Sequence, residues 1–391
     1  MSSSVVAWGS RVGGRALLAG LLLGAVVGCR PSGAASNRCE TARISARGIP
    51  LSRCPVPTLT LDLGCGPGCR QVTRVGTISP DPALSCVTRR AFWWVADSHL
   101  LRAGLPGGEV TSVLGSFRGE HAVDPTGVAC DGDDVVFTAS TRERDAERVD
   151  LVARFRDGGD RAEVVWRDAA LRSEQPAPLW PAVSGELVAW SWDFTVPTLW
   201  AQRGRAAPVS VRADVHATTP PAAWSGGLFF HSGTRIERWS PSYPSPGALS
   251  PAVGDQWSPV AHGRFVAWMD QRDEPRGTSR APRNPQVYLL PVAGGRAVRA
   301  SAGARVGWRG QPSLSDEWLV WVDTRNDPVP DRQPGAWMRA EVYGWRLPAG
   351  PEVRLAADVV ASLPRVVGGA LYYVGASEGT RRDLFTRPMP R

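Results

Sequence analysis

Residues 312–325 read PSLSDEWLVWVDTR. The stretch opens on Pro, turns through a few polar residues, enters an apolar run that carries a Trp, and ends in Asp-x-Arg. Residues 259–272, PVAHGRFVAWMDQR, repeat the same anchors in the same order. The two copies start roughly 50 residues apart, a period that belongs to propeller blades or solenoid turns. The apolar, aromatic-bearing segment that follows the turn recurs at 92–96 (FWWVA), 135–139 (VVFTA), 187–191 (LVAWS), 228–232 (LFFHS), 265–269 (FVAWM), 319–323 (LVWVD) and 371–375 (LYYVG). Each is short, rich in β-branched and aromatic residues, and bounded by Gly, Pro, Asp or Arg turns, which is the signature of a strand.

The flanks of these seven segments complete a repeating unit. A short strand precedes each, starting near Ala83, Pro125, Pro181, Pro221, Pro259, Pro312 and Pro364. A third strand follows after a variable loop, at 100–105, 151–156, 199–203, 236–240, 287–292, 342–347 and 384–388. Fourth strands are expected at 110–114, 162–166, 208–212, 296–300 and 353–357, with a weaker one at 248–253. The final unit has only three strands before Arg391, and a spare strand, 71–76 (QVTRVG), stands before the first unit. An N-terminal strand that completes the last blade removes the open edge between the two ends of a propeller. The expected fold class is therefore all-β: a β-propeller of four-stranded blades over 71–391, closed by its N-terminal strand. Seven blades give about 46 residues each, enough for four strands of ordinary length. Six is the alternative, if the second or fourth unit is an insertion.

The order Pro, polar turn, Trp-bearing strand, Asp-x-Arg, loop, Val-Tyr resembles the repeats of TolB-type, WD40-like propellers. The residues that carry the resemblance are Pro312–Ser315 with Trp321, Asp323, Arg325 and Val342-Tyr343, and in the preceding unit Asp270, Arg272 and Val287-Tyr288. Two units match closely and the others in texture. The resemblance implies the fold and no partner.

The leader carries an address. Arg11 and Arg15 precede an apolar run at 16–27, shorter than the roughly 20 residues needed to span a bilayer and suited to a signal-peptide core. It ends in Val26-Val27-Gly28-Cys29, which resembles the lipobox of bacterial lipoproteins. That resemblance implies cleavage after residue 28 and diacylglyceryl attachment at Cys29; the alternative is a plain secretory signal. Arg30 stands where enterobacterial lipoproteins kept at the inner membrane carry Asp, so the resemblance points to the outer membrane, on its periplasmic or surface face. The expected domains are a signal peptide at 1–28, a Cys- and Pro-rich tether at 29–70, and the propeller at 71–391.

A formal net charge of +8 raises the question of nucleic acid. All 45 basic residues are Arg, and acidic residues are interspersed among them. Nucleic-acid surfaces cluster their charge, and no such run is present, so no nucleic-acid partner is expected. Besides Cys29 there are six cysteines: Cys39, Cys54, Cys65, Cys69, Cys86 and Cys130. An even number in an exported chain suggests disulfides. The expected pairs are Cys39–Cys54, Cys65–Cys69 and Cys86–Cys130, although six cysteines admit many connectivities. Zinc at Cys65-x3-Cys69 is the rival, but no second ligand pair stands nearby.

Candidate site residues follow from the repeat. Asp270/Arg272 and Asp323/Arg325 sit on the loop after the second strand. They either fix that turn, through an Arg fork on a carboxylate, or line a charged binding rim over the fifth and sixth units. Trp94, Trp190, Trp268 and Trp321 hold equivalent places in the second strand and should pack between blades. Trp180, Trp224, Trp257 and Trp308 stand near the first strand, and of these Trp257 and Trp308 are the nearest candidates for ligand contact. No two of the five His show ligand spacing. His216 and His262, beside the first strands of neighbouring units, could meet only at a channel mouth, and no metal or other cofactor is expected. No Gly-x-Ser-x-Gly elbow or Gly-rich phosphate loop is present. The leading expectation is a monomeric, lipid-anchored, non-catalytic module that binds or scaffolds a cell-envelope protein or glycan. The alternative is a polysaccharide hydrolase or lyase working in the propeller channel.

Overall fold

In a computed structural model of the chain, the strands form seven antiparallel sheets, each one blade of a closed β-propeller. The structure describes residues 48–51, 54–55, 70–75, 84–96, 98–107, 109–115, 123–142, 148–171, 178–192, 198–213, 219–251, 254–273, 284–302, 307–328, 339–357, 360–376 and 382–390. All lie within one unit, Arg38–Arg391, and none is in an α-helix. Cys29, Cys39, Cys65, Cys69, Asp97, His121 and His216 lie outside the described residues.

Blade 1 runs from its inner strand outward as Ser85–Val87, Ala91–Ala96, His99–Gly104 and Val110–Gly115, and blade 2 as Val123–Asp131, Asp134–Arg142, Arg148–Arg156 and Arg161–Leu171. Blade 3 is Pro178–Ser184, Leu187–Trp192, Thr198–Arg203 and Val209–Ala213; blade 4 is Ala222–Trp224, Gly227–Ser232, Arg235–Ser240 and Tyr243–Ala248. Blade 5 is Gln256–His262, Phe265–Asp270, Gln286–Pro291 and Val298–Arg299; blade 6 is Arg309–Leu314, Trp318–Asp323, Glu341–Arg346 and Glu352–Ala356. Blade 7 takes Val360–Val367, Ala370–Ala376 and Arg382–Pro388 from the end of the chain and Arg70–Val75 from its beginning. Arg70 pairs with Thr386 and Val75 with Arg382, so the N-terminal strand is the outer strand of the last blade and the ring closes as expected.

The second strands are apolar throughout because both of their faces are covered. In Phe265–Asp270 and Trp318–Asp323 every residue is buried. The apolar side chains divide into seven clusters, one at each seam between neighbouring blades. There is thus no single central core; the core is a ring of seams. Trp94, Trp190, Trp268 and Trp321 are each fully buried, at the seams of blades 7 and 1, 2 and 3, 4 and 5, and 5 and 6 respectively. At 150–250 Å² per aromatic side chain, each contributes about 4–6 kcal/mol of gross transfer free energy.

Outer strands behave differently. Tyr243–Ala248 (YPSPGA) is exposed along almost its whole length. It corrects the expected fourth strand at 248–253: the chain turns back at once after Ser240 and pairs there, Ser240 opposite Tyr243. Its two prolines are tolerated because an outermost strand pairs on one side only.

The stretch expected as a tether contributes two more pieces. Ile49–Pro50 pairs with the outer strand of blade 2, and Cys54–Pro55 with that of blade 1. The N-terminal segment therefore runs along the outer edges of blades 2, 1 and 7 in turn. Cys86 and Cys130 form a disulfide that joins the inner strands of blades 1 and 2. Cys54 is also disulfide-bonded, and its partner lies outside the described residues.

Candidate functional site

The repeat's anchors close on one another. In blade 5 the Arg272 guanidinium donates to Asp270 Oδ2 at 2.5 Å, and the Arg272 amide donates to Asp270 Oδ1 at 2.8 Å. Trp268 Nε1 and Gln256 Nε2 donate to the same Oδ2 at 2.8 and 3.0 Å. The guanidinium lies over the Tyr288 ring, 4.3 Å from its centroid. Blade 6 repeats this with Arg325 on Asp323 and over Tyr343 at 4.2 Å, and adds Glu352, whose Oε1 accepts from Arg325 Nη1 at 2.6 Å. The Asp-x-Arg and Val-Tyr anchors are therefore one clamp that locks the loop after the second strand to the third strand. Burial works against the Arg272 charge, but the hydrogen bond and charge of Asp270 outweigh it and raise its pKa; Arg325 is raised on the same balance, with Glu352 added.

The inner strand sets the difference between the two clamps. Asp270 pairs across the ladder with Gln256, and Asp323 with Arg309. Arg309 is fully buried, with its Nε 3.0 Å from Asp323 Oδ2. Burial pulls its pKa down further than Asp323 restores it. Asp323 thus holds two guanidinium groups where Asp270 holds one. The structure gives all four residues, Asp270, Arg272, Asp323 and Arg325, the turn-fixing arrangement, with the Arg side chains mostly covered.

The tryptophans near the first strands are placed by packing. Trp257 packs against the seam of blades 5 and 6, and Trp224 stacks on Phe229 at 4.5 Å. The Trp308 indole covers Gly310 so closely that any side chain there would collide with it, which is why that position is Gly.

What the ring does enclose is a central cavity of about 1110 Å³, walled by the inner strands of all seven blades. None of Trp257, Trp308, Asp270, Arg272, Asp323 or Arg325 lines it. The antiparallel register explains this. The clamps sit where the inner strand begins, at Gln256 and Arg309, whereas the wall is built from later inner-strand residues and the turns that follow.

The repeat's Pro shapes the wall. Trp180, Ser258, Gln311 and Leu363 each have positive φ, between 49° and 52°, and each immediately precedes a buried Pro: Pro181, Pro259, Pro312 and Pro364. The inner-to-second-strand register slips at the same four places, so each is a bulge. An inner strand pairs on one side only, and a Pro there removes a donor that the ladder does not use. The bulges also join neighbouring blades. The Ser258 amide donates to Thr219 Oγ1 at 3.3 Å and the Leu363 amide to Gln311 Oε1 at 2.7 Å.

The charged groups of the wall fall into two kinds. Asp131 accepts from the Gly185 amide at 2.8 Å, Asp316 pairs with His262 Nε2 at 3.0 Å, and Glu317 lies 4.0 Å from Arg346. Asp131 and Asp316 thus have hydrogen-bond partners, whereas Glu317, at the limit of an ion pair, keeps most of its side chain in solvent. Among the described residues no three His, Cys, Asp or Glu side chains gather within reach of one metal ion. Arg89 of blade 1, which is exposed, and Arg365 of blade 7, which is partly covered, are the other kind. The Arg365 side chain donates to the Pro364 carbonyl at 3.0 Å, and no ion pair engages it among the described residues. Arg365 directly follows the repeat's Pro, at the place held by Ala182, Ala222, Val260 and Ser313 in other blades. An alignment of the repeats exposes that contrast; a search for acid–base or metal constellations passes over it.

No protein-family model matches the chain, and no curated protein matches it in sequence. Solved structures do resemble it. A prolyl endopeptidase structure aligns at TM-score 0.50 and 15% identity, over 78% of this chain and 47% of that one. The Niastella koreensis GH74 enzyme aligns at 0.51 and 9% identity, over 82% and 53%. The β-propeller domain of the Trilobed protease from Pyrococcus furiosus aligns at 0.47 and 9%, over 69% and 83%. The chain thus spans about half the length of the first two. At these identities the likeness is one of fold alone: the chain is a closed seven-bladed β-propeller.

Proposed function

We propose that this protein is an exported, lipid-anchored TolB-type propeller that binds a cell-envelope ligand, protein or glycan, in its central cavity without transforming it. The observation that carries the reading is the wall itself. Seven inner strands converge on one central space, its wall carries three acidic side chains among the described residues, and two of them, Asp131 and Asp316, are hydrogen-bonded within the fold to Gly185 and His262. Cleavage of a glycosidic bond needs two carboxylates that flank it, and this wall offers few from which to build such a pair. Anchoring rests on the sequence around Cys29, with the outer membrane as the destination implied by Arg30.

Two variants test this. Ala223 lines the cavity from blade 4, is half-buried and packs against the seam of blades 3 and 4; Ala223→Trp should obstruct the space, and an unchanged melting temperature is the control that the seam survives. Detergent-solubilised envelopes passed over the wild type should yield a ligand that the variant loses. Equal capture by both would place binding elsewhere, and depolymerisation of envelope polysaccharide by the wild type would establish the hydrolase or lyase reading. Cys29→Ser should move the protein from the membrane to the soluble fraction; retention on the membrane would remove the anchor from the proposal.

A further inference from the structure

We infer that the part of the cavity wall where blade 7 meets blade 1 is an oxyanion subsite, in which Arg365 grips a carboxylate, sulfate or phosphate group of a small ligand. The inference rests on the reading of the cavity as the ligand site and names the chemistry recognised there. Three observations carry it. First, Arg365 lines the cavity, and its only side-chain partner among the described residues is the carbonyl of the adjacent Pro364. Every other Arg on the clamps and seams described above has a carboxylate, carbonyl or aromatic partner from elsewhere in the fold; this one has a neighbouring backbone oxygen and open space.

Second, the ladder shows which way the side chain faces. Directly opposed residues on paired strands project to the same side of a sheet. Arg365 opposes Tyr372, and Tyr372 belongs to the seam of blades 7 and 1. Ser85, on the inner strand of blade 1, opposes Trp94, which belongs to the same seam. Both Arg365 and Ser85 therefore face one seam from its two sides. Third, Ser85 is 2% exposed, lines the cavity, and its Oγ has no hydrogen-bond partner. A buried hydroxyl without a partner is uncommon, and it marks a place where a polar group from outside the chain would be welcomed.

The chemistry favours an anion. A guanidinium is planar, carries five N–H donors, and is more weakly hydrated than an ammonium, so it tolerates a confined site and matches the two oxygens of an oxyanion. Burial, with no carboxylate to offset it, pulls Arg365 down to about 10, which leaves it cationic at neutral pH. A charge held this way costs stability in the free protein, and an arriving anion recovers that cost.

The test uses the full-length protein in detergent, with galacturonate and inorganic phosphate as anionic probes and galactose as the neutral counterpart of the first. Calorimetric titration at fixed ionic strength should show saturable 1:1 binding of at least one anion, weakened about 10-fold or more in Arg365→Gln and less in Arg365→Lys. Galacturonate alone would identify a carboxylate source; phosphate alone would identify a phosphate source. Without ligand, Arg365→Met should melt at or above the wild-type temperature, because it removes a charge that has no counter-ion. A melting temperature several degrees lower would show Arg365 to be a structural tie and overturn the inference. So would equal anion binding by wild type and Arg365→Gln, or no saturable binding up to about 10 mM. Loss of the subsite alone would leave the cavity reading standing if Ala223→Trp still abolished capture of the envelope ligand. If that variant also captured it normally, both would fall.

Discussion

Asp323→Asn should destabilise the propeller far more than Asp270→Asn, although the two residues occupy the same place in adjacent blades. Asn preserves the shape of Asp but removes its charge and replaces one acceptor with an NH2 group that faces donors. In blade 6 this takes from Arg309, which has no exposed side-chain surface, the carboxylate that pairs with it among the described residues, and leaves it beside neutral acceptors such as Asn284 Oδ1 and the carbonyls of Pro285 and Gly307. Breaking a buried ion pair from one side costs about 3–5 kcal/mol. In blade 5 the corresponding inner-strand residue is the neutral Gln256, and Arg272 keeps 21% of its side chain exposed, enough to turn toward water. Its loss should cost about 1–3 kcal/mol, the scale of a charged hydrogen bond. At about 2.1 cal/mol/K of unfolding entropy per residue, 4 kcal/mol corresponds to a drop of about 5 °C for a chain of this length. Urea denaturation followed by Trp fluorescence reads the difference as a shift in midpoint at constant slope. A third variant fixes the cause. Arg309→Gln copies blade 5 into blade 6, and in the Asp323→Asn background it should recover most of the loss. Equal losses for the two Asp variants, or no recovery by Arg309→Gln, would refute the assignment of the cost to a stranded buried cation.

Other outcomes follow from closure, cross-linking and burial. Replacing Arg70–Val75 by a Gly/Ser linker removes the strand that completes blade 7 and leaves Arg382–Pro388 as an open edge; it should lower the melting temperature by several degrees, and an unchanged melt would mean the ring does not depend on that strand. Replacing Cys86 and Cys130 together by Ser opens a loop of sequence separation 44 and should cost about 4 kcal/mol on the chain-entropy account; a melt equal to that of the oxidised wild type would refute it. Four of the five tyrosines, Tyr288, Tyr343, Tyr372 and Tyr373, have their pKa raised, first of all by burial, and Tyr288 is pushed up to about 12 with the help of Asp273. The folded chain keeps these protons at pH values where the unfolded chain releases them. Stability should be intact below pH about 10 and fall as pH rises toward 12, with Tyr288→Phe flattening that limb. Native phenolate absorbance rising fully near pH 10 would contradict it.

The parts of the fold that were legible are those whose chemistry is local. The second strands announced themselves because burial on both faces demands unbroken apolar runs such as FVAWM and LVWVD. The outer strand of blade 4 did not, since an edge exposed to water is free to be YPSPGA, which lacks both alternation and β-branched residues. Ile49–Pro50 and Cys54–Pro55 were illegible for a different reason: two residues carry no period. The Asp-x-Arg and Val-Tyr anchors could be seen to travel together, but their closing into one clamp is a fact of register between two strands separated by a variable loop. Arg365 was passed over because one Arg after a Pro has no meaning in one dimension. Its interest lies in what does not stand near it, which only the folded ring reveals.

The strand at Arg70–Val75 is among the first parts of the propeller to be made and the last to be used. Its partner, Arg382–Pro388, lies roughly 300 residues further along, so joining the two from a disordered chain would cost about 5 kcal/mol of loop-closure entropy. That cost shrinks as the intervening blades assemble and bring the ends together. Synthesis should therefore produce an open array of seams with a waiting N-terminal strand and an unpaired edge on the last blade. Contacts of such long range slow folding, and the final pairing acts as a signal that the whole chain is present. A chain truncated anywhere before Arg382 would keep its early seams and yet never become a ring.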